Sequence, residues 1–138
     1  MDTQAVLDTN VIVAAHRTKH PSSPNKEIID RWEAAEFTLL YSLDVLLEYA
    51  EKLVEKSVES AKIERLISRV VYLGTSVSIE FFHLHHYPVD PDDIAFVLCA
   101  LNGDATHIVT YDPHLHDIQQ HYAVKICEPL RFLADLRA

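Results

Sequence analysis

The sequence predicts an α/β fold with a mainly parallel central sheet and helices on both faces. Three observations carry that expectation. Short apolar runs such as Ala5-Val6-Leu7 and Ile108-Val109-Thr110 alternate with segments of helical periodicity, turn residues separate the two kinds of segment, and the 138 residues contain no internal repeat. Strands that alternate with helices imply right-handed βαβ crossovers, and ligands of such sheets collect at the carboxyl ends of the strands. A chain of 15.7 kDa suits one hydrophobic core, so residues 1–138 are expected to form a single domain.

The elements are expected in the following order. Ala5 to Leu7 forms a strand, Asp8-Thr9-Asn10 a polar cap, and Val11 to Ala15 a helix. Arg17 to Asn25, with two prolines and two serines, reads as a loop. Ser23-Pro24 caps a helix to about Ala35 whose inner face is Ile28, Ile29, Trp32 and Ala35. Phe37 to Tyr41 is a second strand. A helix from Leu43 to about Lys56 has its apolar stripe at Leu46, Leu47, Ala50, Leu53 and Val54, and another follows with Ile63, Leu66, Ile67 and Val70. Beyond Gly74, Val77, Ile79 and Phe81 alternate with polar residues as in a strand. A helix from about Pro91 to Leu101 buries Ile94, Val97, Leu98 and Leu101. Strands at 108–110 and 124–126 precede a last helix, Pro129 to Leu136.

Lys plus Arg is 12 against 21 Asp plus Glu, a formal charge of −9, which is the wrong sign for a typical basic-surface nucleic-acid binder. With 49% hydrophobic and 24% charged residues, the composition is that of a globular protein rather than a disordered one. Cys99 and Cys127 sit in apolar contexts without CxxC spacing and read as reduced, buried thiols. The N-terminal residues carry no export signal and no apolar run is long enough to span a bilayer, so a cytoplasmic protein is expected. With only two glycines, Gly74 and Gly103, a phosphate-cradling loop is almost excluded.

Acids mark the strand ends. Asp8 follows the first strand and Asp112 follows the strand at 108–110, and each could be a helix cap or an Asx-turn as readily as a ligand. Asp90-Pro91-Asp92-Asp93 places three acids in four residues. Asp90 suits the cap, Asp92 points away from the apolar stripe of the following helix, and Asp93 lies on its flank, where a cleft edge would be. Carboxylates brought together in this way repel one another unless a cation joins them, and Mg²⁺ accepts such oxygen ligands.

The order of these motifs resembles the PIN-domain ribonucleases, and within them the VapC-like toxins of toxin–antitoxin pairs. The carrying segments are AVLDTNVIVAA at 5–15, SLDVLLEYAEKL at 42–53, VDPDDIAFVLCALNGDATHIVTYD at 89–112 and KICEPLRFL at 125–133. The resemblance implies a single PIN-like domain in which Asp8, Glu48, Asp93 and Asp112 ligate Mg²⁺ or Mn²⁺ and metal-activated water hydrolyses an RNA phosphodiester. It implies that Asn10 and Thr110 orient the acids and their waters, and that a toxin of this kind has a cognate antitoxin and forms a homodimer. Asp92 is either solvated or a supporting group behind the ligands. The helical pattern alone would leave Glu48 solvated, in a polar stripe with Asp44, Glu51 and Glu55, so only the resemblance promotes it. Tyr111 before the last acid and Ile94 after Asp93 depart from the family's usual residues; Tyr111 could narrow the cleft, stack on a base or pack beside the strand.

RNA needs cations as well. Arg17 and Lys19, in the compact stretch from His16 to His20, are candidates for gripping phosphates. His83, His85 and His86 lack a third ligand at recognisable spacing and read as an edge or surface strand rather than a transition-metal site. The rival readings are a processing nuclease that is not a toxin, a receiver-like phosphoacceptor and a degenerate module that only binds RNA or protein. The receiver-like reading lacks paired acids after the first strand and a strand-end acid in mid-chain.

Overall fold

Strand β1 (Gln4–Leu7) is the centre of the molecule. In the computed structural model, which describes residues 2–138, it pairs in parallel with β2 (Thr38–Tyr41) on one side and β4 (His107–Val109) on the other. β3 (Thr75–Ser76) and β5 (Lys125–Cys127) complete an all-parallel sheet of order β3-β2-β1-β4-β5. Successive strand residues point to opposite faces, yet Ala5, Val6 and Leu7 are each fully buried, so both faces of β1 are covered. The chain builds outward from β1 through β2 and β3, then returns to the other side for β4 and β5. That reversal places a topological switch point between the carboxyl ends of β1 and β4, where a crevice forms.

Among the described residues, seven α-helices connect and cover the strands: α1 (Thr9–Arg17), α2 (Pro24–Glu33), α3 (Leu43–Glu55), α4 (Ser60–Leu73), α5 (Ile94–Asn102), α6 (Pro113–His116) and α7 (Pro129–Arg137). The 3₁₀ turns Pro91–Asp93 and Gln119–His121 fill two of the connections. Ser23 caps α2 through Lys26 N–H, with Pro24 in its first turn, as the sequence predicts. Phe37 and Phe132 meet edge to face at 5.0 Å beneath the α2–α7 side. Cys99 and Cys127 are free and buried, and burial pushes their thiols up to about 12 and about 11. No helix among the described residues is long and apolar enough to cross a membrane.

Three expectations are corrected. The inner face of α3 is Val45, Tyr49 and Leu53, whereas Leu47 and Val54, read as core, are exposed. Helix α5 buries Phe96, Val97, Leu98, Cys99 and Ala100, so it is covered almost all round instead of along one stripe, with Ile94 and Leu101 only half-buried. The strand expected at Val77, Ile79 and Phe81 does not form; β3 ends at Ser76. The Asn102 side chain takes the place of a strand there, accepting from Glu80 and Phe81 N–H and donating to the Phe81 carbonyl, so this backbone is satisfied without a ladder.

Helix α2 ends at Glu33, so Ala35, expected on its inner face, lies exposed just past the end at φ 61°, bonded as a reversed turn through Ala35 N–H to Trp32 O and Glu36 N–H to Arg31 O. The left-handed region costs a non-glycine residue roughly 1–2 kcal/mol, and glycine costs about 0.5–1 kcal/mol in chain entropy. Ala35→Gly is therefore expected to stabilise the protein by up to about 1 kcal/mol, read as a higher denaturant midpoint at unchanged m.

Candidate metal centre

The switch-point crevice is lined with carboxylates, and two threonines hold them. Asp8 extends the β1–β4 ladder by donating its N–H to Val109 O at 2.9 Å. It precedes α1 but its carboxylate makes no capping hydrogen bond, so capping does not account for it. Thr110 Oγ1 instead donates to Asp8 Oδ2 at 2.6 Å, and the same oxygen accepts from the Asp112 N–H at 2.9 Å. One fully buried threonine thus ties the acid after β1 to the acid after β4. Asp112 also caps α6 by accepting from His114 N–H at 2.9 Å.

Glu48 reaches the same edge from α3. Thr9 Oγ1 donates to Glu48 Oε2 at 2.6 Å, which holds the glutamate half-buried rather than solvated. Its neighbour Tyr49 is fully buried and donates to the Leu7 carbonyl, fixing the end of β1 just before Asp8. Asp93, in the 3₁₀ turn before α5, is only 6% exposed, and its Oδ2 is buried with no hydrogen-bond partner. Asp90 caps that turn through Asp92 N–H at 2.9 Å, and Asp92 is exposed, as the helical wheel predicts.

The electrostatics are those of crowded acids. Burial is the main reason that the Asp93 carboxyl titrates well above the usual range, followed by its hydrogen bond with Asp112 and the charges of Asp112, Asp8 and Asp90. The same hydrogen bond lowers Asp112, with the His114 N–H and the nearby His114 and His116 assisting. Burial likewise raises Asp8, against the Thr110 hydroxyl, and the Asp112 charge adds to it. Glu48 is raised by burial and by the charges of Asp8 and Asp92, so these acids sense one another. The four carboxylates are thus brought to one strand edge, with Asp92 beside them.

An all-oxygen donor set with one orphaned buried oxygen fits a hard divalent cation, which would satisfy Asp93 Oδ2 and offset the repulsion. Among the described residues, however, no group of three or more His, Cys, Asp or Glu side chains is arranged so that it could hold a metal ion as it stands. Asp93 and Asp112 lie close enough that each shifts the other's titration, Asp93 upward and Asp112 downward.

Of the groups expected to support the acids, Thr110 hydrogen-bonds Asp8 and the Asp112 N–H. Asn10 is exposed, and among the described residues no hydrogen bond joins its side chain to an acid. Thr9 and Tyr49 were not singled out by the sequence; the only signal for Thr9 is its position between Asp8 and Asn10. Tyr111 donates to Asn25 Oδ1 at 3.2 Å, leaning toward the start of α2 with its ring partly exposed. Arg17 and Lys19 are exposed at and beyond the end of α1. The histidine segment is irregular: His83 meets Tyr87 edge-on and His86 stacks on His121 at 3.4 Å.

Thr110→Val keeps shape but removes both the donor to Asp8 and the acceptor for Asp112 N–H. Groups that orient metal ligands are typically worth about 10–100-fold. A loss of that size in Mn²⁺ affinity is expected, read by calorimetric titration.

Residues 4–114 match a family model described as PIN domain. The fold is also that of two solved structures. The crystal structure of VapBC2 from Rickettsia felis, bound to a DNA fragment from their promoter, aligns with a TM-score of 0.58 at 18% identity, covering 91% of this chain and 98% of that one. The structure of FitAcB from Neisseria gonorrhoeae aligns with a TM-score of 0.55 at 15% identity, again covering 91% and 98%. No curated protein matches the sequence.

Proposed function

The chain belongs to the PIN-domain family, and from that membership and the carboxylate edge we propose that it is a metal-dependent endoribonuclease, the toxin of a toxin–antitoxin pair. Asp8, Glu48, Asp93 and Asp112 are the groups that would hold Mg²⁺ or Mn²⁺. The observation that carries this reading is the buried, unpartnered Oδ2 of Asp93 beside Asp112, at the strand edge that also holds Asp8. A burial of that kind costs stability and calls for a ligand.

A bound divalent cation supplies charge neutralisation at the phosphate and lowers the pKa of water. The chain's own residues do the rest. Thr110 and Thr9 hold Asp8 and Glu48 in fixed orientations, so little reorganisation is needed when substrate arrives. Tyr49 fixes the carbonyl preceding Asp8, and β1 and β4 set the spacing of Asp8 and Asp112. His114 and His116 flank Asp112, where they moderate its charge.

The toxin reading rests on the VapC-like motif order and on the likeness of fold to VapBC2 and FitAcB. A cognate antitoxin, a homodimer and a cytoplasmic site of action belong to the same proposal. The test is cleavage of a labelled RNA in Mg²⁺ or Mn²⁺ with EDTA as control, together with growth of bacteria expressing the chain. Cleavage that stops in EDTA and in Asp8→Asn, with growth arrest lost in the same variant, is expected. Metal-independent cleavage, or a parent that neither cleaves RNA nor arrests growth, would refute it.

A further inference from the structure

The chain carries nine more acids than bases, yet its free cations are not scattered. Arg31, Lys52, Arg69, Lys125, Arg131 and Arg137 each contact a carboxylate. Among the described residues, the Lys and Arg side chains without such a partner are Arg17, Lys19, Lys26, Lys56, Lys62 and Arg65. Five of these six line one feature. A groove of about 390 Å³ between α1, α2 and α4 takes Lys26, Lys62 and Arg65, and an adjoining hollow of about 350 Å³ that shares His16 and Lys62 takes Arg17 and Lys56. The acids facing them are Asp30, Glu33 and Glu59, and Glu33 is paired with Arg69.

Helix electrostatics explains only part of this arrangement. Arg17 and Lys56 lie at the C-terminal ends of α1 and α3, where cations favour the helix. Lys26 and Lys62 are the third residues of α2 and α4, in first turns where the macrodipole disfavours a cation. These positions cost local stability, and the cost is understandable if both lysines and both positive helix ends serve one polyanion.

The groove is also placed in line with the carboxylates. α1 runs from Thr9, which holds Glu48, to Arg17, and α3 runs on from Glu48 to Lys56. Each path is eight residues, about 12 Å at the helical rise, roughly two nucleotides of extended strand.

We propose that this groove holds the phosphate backbone of the RNA strand leading away from the carboxylate edge. The inference rests on the ribonuclease reading above and adds to it a sequence-independent track on α1, α2 and α4, distant from the acids.

The test is fluorescence anisotropy of a labelled 20-nucleotide RNA with the full chain in EDTA, between 50 and 300 mM KCl. EDTA removes any cation from the carboxylates, so the binding that persists reports the groove. For single strands the logarithmic salt slope is about −0.7 per phosphate contact, so the Lys62→Ala/Arg65→Ala double variant is expected to flatten it by about 1.4. Arg131→Ala, on α7 and already paired with Asp135, is expected to keep the parent slope. Circular dichroism of each variant verifies the fold. An unchanged slope in a folded double variant would overturn the proposal. A poly-glutamate peptide whose binding depends on Lys62 and Arg65, with RNA binding independent of both, would overturn it too and assign the groove to an acidic protein segment. A chain that shows the flattened slope yet never cleaves RNA in Mg²⁺ keeps the groove and loses the nuclease reading, whereas cleavage with an unchanged slope does the reverse.

Discussion

Asp93→Asn is expected to lower RNA cleavage in Mg²⁺ by about 10²–10³-fold, the loss of roughly 3–4 kcal/mol of transition-state stabilisation at a metal site. The same change should leave the cation-free protein at least as stable as the parent. Asp93 is buried, its Oδ2 has no partner, and Asp112, Asp8 and Asp90 all oppose its charge. Asparagine keeps the shape and can still donate toward Asp112, but brings no charge into that environment. The pairing of a large catalytic loss with preserved stability distinguishes a ligand from a structural acid. Initial cleavage rates and thermal unfolding in EDTA measure the two halves, and an active Asp93→Asn protein would remove Asp93 from the site.

Tyr49→Ala is expected to be the most destabilising change near the site, by about 3–5 kcal/mol. Tyr49 is fully buried on the inner face of α3, tilted against Phe96 at 6.4 Å between ring centres, and bonded to the Leu7 carbonyl. Domains of this size typically have about 5–15 kcal/mol in total, so the variant approaches the limit of folding. Tyr49→Phe separates the two contributions. It retains the packing and removes only the hydroxyl, leaving a buried carbonyl unpaired at a cost of about 1–3 kcal/mol. Urea denaturation of both variants measures the difference, and equal midpoints for Phe and Ala would show that packing contributes nothing there. Cleavage per folded molecule should fall less in Tyr49→Phe than in Asp93→Asn, because Tyr49 touches the backbone before Asp8 and no carboxylate.

The parts of this molecule that were legible in the sequence are those where local and tertiary preferences agree. The central strands are fully buried on both faces, so they read as unbroken apolar runs, and the acids that end them fall at the switch point by topology alone. Asp8, Asp112 and Asp93 were therefore within reach of pattern and geometry. Glu48 was not. Helix α3 is apolar on two sides, and the stripe containing Leu47 and Val54 faces outward while Val45, Tyr49 and Leu53 face the core. Periodicity cannot tell these sides apart, and the wrong choice turns Glu48 away from the site. The alternating segment Val77 to Phe81 misled for another reason: the partner that satisfies its backbone is one side chain, Asn102, which no local pattern announces. The hydroxyl of Thr9 was hidden in the same way, because its partner Glu48 lies 39 residues away, and Thr110, whose partner Asp8 lies 102 residues away, was named only through the family resemblance.

The central claim is that four carboxylates from β1, α3, the turn before α5 and the end of β4 act as one cation site. Calorimetric titration of Mn²⁺ into the parent and into Asp8→Asn, Glu48→Gln, Asp93→Asn and Asp112→Asn tests it most directly. Saturable binding by the parent, weakened at least about tenfold in every one of the four variants, is the expected result. A parent that takes up no Mn²⁺, or variants that bind it with the parent's affinity, would contradict the site.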